Sequence, residues 1–192
     1  MRRCLAWGVG LLMALSLSGC GVAGNLVSPE GQAEANGLFS PKLPADRVLS
    51  AEERQGDFDR FLDVATTDAR RWSAKAVLTG AQATNVDATG GKAGGTTYVY
   101  TFASGKDGLA VTVTANTVTF AKAKAGTPLE SRELISGARA MSAAVATGAL
   151  ASEGYVLLLG TTPAGPAFVV REFKREGAAS VTIDARTGQA YR

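Results

Sequence analysis

The run Val111-Thr112-Val113-Thr114-Ala115-Asn116-Thr117 recurs 70 positions later as Val181-Thr182-Ile183-Asp184-Ala185-Arg186-Thr187. Four of the seven pairs are identical, and the same offset lays Tyr98-Val99-Tyr100 on Phe168-Val169-Val170 without a gap. Alternating apolar and small polar residues specify a strand with one buried face, because successive side chains point to opposite sides of a sheet. Two strands that keep one offset imply an internal duplication of a helix-plus-strands unit. Whatever the first half of the chain builds, the second half is expected to build again.

The first half opens with Ser50-Ala51-Glu52-Glu53, which has the spacing of a capping box: the serine oxygen accepts from a backbone amide and the glutamate reaches back. Phe58, Phe61, Leu62, Ala65, Ala69, Trp72 and Ala76 follow at helical spacing, predicting one amphipathic helix to about residue 76. Asp59, Asp63, Asp68, Arg70 and Arg71 lie mostly off this stripe and read as its solvated face. The period then changes to that of strands. Residues 81–86 are a weak strand, 90–95 a glycine-rich loop and 97–103 a strong strand with Tyr98, Tyr100 and Phe102 on one side. Leu109, Val111 and Val113 alternate with Ala110, Thr112 and Thr114, while Val118 and Phe120 switch parity, which predicts a bulge or bend near Asn116.

The second half repeats the order. Thr127-Pro128-Leu129-Glu130 looks like a helix start, followed by the stripe Leu134, Ala138, Met141 and Val145 and by strands at 155–159, 167–173 and 178–184. The expected fold is α+β: two similar units, residues 50–125 and 126–192, each one long helix packed on a small antiparallel sheet. The aromatic row and Trp72 are expected to be core. The opposite sheet face would show Thr101, Thr112, Thr114, Arg171, Thr182 and Asp184, the candidate binding face.

Upstream, Arg2 and Arg3 precede an apolar stretch over residues 5–17 and the box Leu17-Ser18-Gly19-Cys20. A charged start, a short apolar run and a small-residue site make a secretory signal. A cysteine directly after Leu-Ser-Gly has the form of the acylated residue of a bacterial lipoprotein. Residues 1–19 are therefore read as a signal peptide and Cys20 as the carrier of a diacylglycerol and an acyl chain. Residues 20–49, with many Gly and Pro and no sustained period, read as a tether. This places the folded part outside the cytoplasm on a membrane anchor. Gly21, rather than aspartate, after the cysteine favours the outer membrane in a two-membrane cell.

Composition then excludes chemistry. Histidine is absent, which removes Ser-His and Cys-His nucleophilic sites. Of the two cysteines, Cys4 leaves with the signal and Cys20 carries lipid, so no thiol remains for a disulfide or a cysteine-based metal site. The signal removes two of 20 basic residues and none of 17 acidic ones. A charge balance this even offers neither a nucleic-acid face nor a polybasic membrane patch. The 90–95 loop lacks the Lys-Ser/Thr ending and the strand-to-helix setting of a phosphate loop. Asp57, Asp59 and Asp63 sit where a helix start favours acidic residues. No enzyme activity, cofactor or metal is expected, although a carboxylate-pair hydrolase survives the composition filter.

The closing segment, an apolar strand followed by Asp184-Ala185-Arg186-Thr187-Gly188, resembles the end of PepSY-like domains. Asp184 can cap the turn and Gly188 can supply a positive φ. The first copy departs from this, with Thr114 and Val118 at the matching positions, so its turn must be built differently. The resemblance covers roughly residues 128–192 and, by the repeat, 51–122. It implies small α+β units outside the cytoplasm that restrain or modulate peptidases, and tandem units of related shape form a β-lactamase inhibitor that clasps its target with a curved sheet. No catalytic residue transfers. The expected function is a non-enzymatic module binding an envelope or secreted protein; the alternative is a structural or assembly lipoprotein of the cell envelope with no specific ligand.

Overall fold

A computed structural model describes residues 41–129, 133–150, 154–173 and 179–191. Cys20 and its flanks lie outside the described residues. The strands are β1 (Arg47–Val48), β2 (Val77–Val86), β3 (Lys92–Ser104), β4 (Asp107–Val113), β5 (Thr117–Lys124), β6 (Tyr155–Thr162), β7 (Gly165–Glu172) and β8 (Ser180–Asp184). They form one antiparallel sheet in the order β1-β5-β4-β3-β2-β6-β7-β8. The helices are α1 (Phe58–Trp72) and α2 (Gly137–Ala146).

This corrects the expected fold. The chain does not make two units, each a long helix on its own small sheet. β2 and β6 pair from Ala81↔Leu159 to Val86↔Tyr155, so the two halves share one ladder and leave no free edge between them. A single cluster of buried residues runs beneath both helices, from Leu49 to Ala185. Phe58 of α1 meets Tyr100 of β3 at 5.6 Å between ring centroids and Phe168 of β7 at 6.0 Å, stitching the halves together. The physical reason is the edge: a three- or four-strand sheet exposes unpaired amides, and joining two such edges satisfies both while merging their cores.

The capping box does form. Glu53 N–H donates to Ser50 Oγ (3.2 Å) and Ser50 N–H to Glu53 Oε2 (2.8 Å), but they close a 3-10 turn at Glu53–Gln55 rather than the long helix. α1 starts later, with Asp57 Oδ1 accepting from Arg60 N at 3.0 Å, and stops at Trp72 because Ser73 is extended. Its stripe Phe58, Phe61, Ala65, Ala69 and Trp72 is buried as its spacing predicts. α2 is the larger departure. It starts at the Ser136 cap, not at Thr127, and runs only ten residues. Leu129, the residue after Thr127-Pro128, is instead buried with its N–H on Leu78 O (2.7 Å), beside a β-bulge of β2.

The parity switch near Asn116 is a hairpin turn, with Thr114 N–H on Thr117 O (3.0 Å) and the two hydroxyls 2.9 Å apart. Ordered structure also precedes Ser50: β1 pairs with Thr117 and Val118, and Leu49 is 1% exposed. Both sheet edges are partly covered. Phe120 N–H on β5 donates to Asp46 Oδ1, and the β8 edge is covered by an Ile183↔Ala190 bridge and by Tyr191 N–H on Thr182 O. Such cover blunts edge-to-edge association.

Candidate binding face

Alternation puts Tyr98, Tyr100, Phe102, Leu109, Val111, Val113, Phe168 and Ile183 under the helices, which turns every second residue to the other face. One row there runs in register across seven strands: Thr119, Thr112, Val99, Gln82, Leu158, Val169 and Thr182. All seven are half-buried. Seven strands span about 29 Å at the usual spacing. A second row holds Ala121, Ala110, Thr101 and Gly80 on β5 to β2. From β5 to β6 the described side chains of these rows carry no charge; Arg171 and Asp184 bring charge only on β7 and β8. No described helix lies on this side.

The sequence-derived residues fall on this face but do not converge. Thr101 Oγ1 is 3.1 Å from Thr79 Oγ1 and 3.2 Å from Gly80 O, a local bridge to the bulged start of β2. Thr112 and Thr182 share the long row at positions five strands apart, about 24 Å. Thr114 is committed to the β4–β5 turn. Arg171 is exposed between Val156 and Ser180. Asp184 is spent on structure: Oδ1 accepts from Thr187 N (2.7 Å), Arg186 N (2.9 Å) and Thr187 Oγ1 (3.0 Å), and Oδ2 from Tyr191 OH (3.2 Å). The Thr187 amide foremost holds the Asp184 carboxyl below its usual range. Gly188 at φ 78° closes that turn. The face is therefore a broad surface of mixed residues rather than a pocket with convergent polar groups. Gln82 and Leu158, its centre, were missed as face residues because β2 and β6 had no known neighbours.

On the helix side a groove of about 420 Å³ is lined by Arg47, Glu53, Arg60, Asp63, Thr67 and Arg71. Its arginines are engaged. Arg47 donates to Glu53 (2.9 and 3.0 Å) and Asp68 (2.8 and 3.0 Å), Arg71 to Asp68 (3.0 Å) and Arg60 to Glu52 (2.7 Å). The Arg47 guanidinium holds the Glu53 carboxyl down at about 2. This network straps β1 to α1. Asp59 takes Gly137 N–H on both oxygens (3.0 and 3.1 Å), tying α1 to the start of α2, and burial pushes its carboxyl up. Asp57 and Asp59, the acidic pair near the helix start, are thus caps. Among the described residues no three His, Cys, Asp or Glu come together as metal ligands, and no helix is long and apolar enough to cross a membrane.

No protein-family model matches the chain, and no curated protein does. A solved structure shares its fold: a protein of Clostridium difficile 630 provisionally described as a lipoprotein, 9% identical, with a TM-score of 0.55 over 72% of this chain and 91% of that one. At that identity the likeness concerns the arrangement of strands and helices.

Proposed function

We propose that the chain is an exported lipoprotein, anchored by acyl groups on Cys20, that binds another extracytoplasmic protein through the sheet face opposite its helices and catalyses nothing. The observation that carries the anchor is the Leu17-Ser18-Gly19-Cys20 box behind a short apolar run. The shared fold with a protein described as a lipoprotein agrees with it. The binding reading is supported by the uncharged row through Val99, Gln82, Leu158 and Val169, which presents width and backbone regularity without a cleft. The PepSY-like ending makes a peptidase the partner class to try first, and Gly21 favours the outer membrane where there are two.

Cell fractionation tests the anchor: the wild-type protein belongs in the membrane fraction as a processed species, and Cys20→Ala abolishes lipid modification. Recovery of wild-type protein in the soluble fraction would refute it. The binding role is separated from tethering by Leu158→Arg on the open face. A loss-of-function phenotype reproduced by Leu158→Arg supports binding; one reproduced by Cys20→Ala alone makes the protein a structural tether instead.

A further inference from the structure

All five lysines whose side chains are described, Lys42, Lys75, Lys106, Lys122 and Lys124, are exposed and gather at one corner of the sheet. Lys75 lies in the turn after α1, where Ser73 Oγ meets Ser104 Oγ at 2.8 Å. Lys106 is in the β3–β4 turn that follows Ser104. Lys124 is the register partner of Asp107, and Lys122 that of Leu109. Lys42 sits between Pro41 and Leu43, which share a shallow recess with Trp72, Lys106 and Lys122. Trp72 Nε1–H donates to Pro41 O at 3.3 Å. The closing turn of α1 adds Arg70 and Arg71.

The carboxylates nearby are few and occupied. Asp68 is 3% exposed and held by Arg47 and Arg71, Asp46 accepts Phe120 N–H, and Asp107 stands opposite Lys124. No described ion pair engages any of the five lysines. Asp57 and Asp59 lie where α1 starts and Asp87 in the β2–β3 turn, away from the lysines. A chain of nearly balanced charge thus folds with its described lysines at one end of the sheet.

Pro41, where the described chain begins, lies at the basic end. Twenty residues, 21 to 40, separate it from Cys20. A chain of that length spans about 25 Å as a random coil and at most about 70 Å fully extended. We propose that the lysine corner docks on the anionic lipid headgroups of the membrane that holds Cys20. This rests on the lipoprotein reading above and revises the expectation that the chain has no polybasic membrane patch. Docking stands the sheet on its end and leaves its open face clear for a partner. Each lysine near an anionic surface favours the docked state by about five-fold.

Trp7 and Trp72 are the two tryptophans, so the processed protein carries Trp72 alone, beside the lysine corner. The acylated, processed protein is reconstituted into phosphatidylcholine vesicles with or without phosphatidylglycerol, each with a dansyl-headgroup lipid, and energy transfer from Trp72 is read. Transfer is expected to rise with phosphatidylglycerol, to fall back in high salt and to be lost in Lys106→Glu/Lys122→Glu/Lys124→Glu. The matching Lys→Arg triple variant keeps the charge and is expected to keep the transfer; circular dichroism verifies that each variant is folded. Equal transfer in both vesicles, or a folded Lys→Glu variant that transfers like wild type, overturns the proposal. So does binding to soluble polyphosphate with no preference between vesicles, which would make the corner a polyanion site. A failed anchor is seen separately, as an unacylated mass before any vesicle is made.

Discussion

Tyr98 and Tyr100 sit two residues apart on one face of β3, both fully buried, yet their hydroxyls fare differently. Tyr100 OH donates to Phe58 O at 2.6 Å, whereas Tyr98 OH has no partner among the described residues. Tyr100→Phe should cost about 1 kcal/mol, and Tyr98→Phe should be neutral or stabilising, because an unmade buried hydrogen bond is a standing penalty. Urea unfolding of the two variants decides it. Alternation made both residues legible as core. It could not say which hydroxyl is satisfied, since the acceptor lies 42 residues away on another element. The Asp184–Gly188 turn was readable because the side-chain partners of Asp184, at Arg186, Thr187 and Tyr191, are all local. Gly188→Ala, at φ 78°, should lower stability by about 1 kcal/mol in the same assay.

At the scale of elements, two pieces were hidden from the sequence for one reason: their partners are distant. β1 has two residues and no alternation to announce it, and its hold comes from Arg47 on Glu53 and Asp68. Glu53 titrates at about 2 when folded against an ordinary 4.5, so the charged form is favoured by folding. That stabilisation is present above about 4.5 and is lost as pH falls toward about 2. Thermal melts should show this acid-side loss in the wild type and a smaller one in Glu53→Gln. The α2 start was misread because the Thr127-Pro128 signal is local, while Ser136-Gly137 succeeds through contacts with α1. A Cβ at Gly137 would stand 2.6 Å from Phe58 Cδ1. Gly137→Ala should therefore cost about 1–3 kcal/mol, seen as a lower urea midpoint.

For the whole molecule, the strands were mostly legible and their assembly was not. β2 alternates weakly, with Ala81 and Ala83 inward and Gly80 and Gln82 outward, and it is bulged near Thr79 and Asn85, so nothing marked it as the seam strand. The repeat offset relates β3 to β7 and β4 to β8, which lie one and two strands out from the β2–β6 seam. One sheet with one core should unfold in one step. Calorimetry should show a single transition, and Leu157→Ala beneath the seam should shift it by about 2–5 kcal/mol without splitting it. The lysine corner has the same origin: positions scattered from 42 to 124 become neighbours only after folding. The claim on which the functional account stands is chemical and can be weighed directly. The intact mass of protein extracted from the membranes of its own cells should correspond to a chain starting at Cys20 and carrying diacylglyceryl and acyl groups; a mass that retains residues 1–19, or that carries no acyl group, would contradict it.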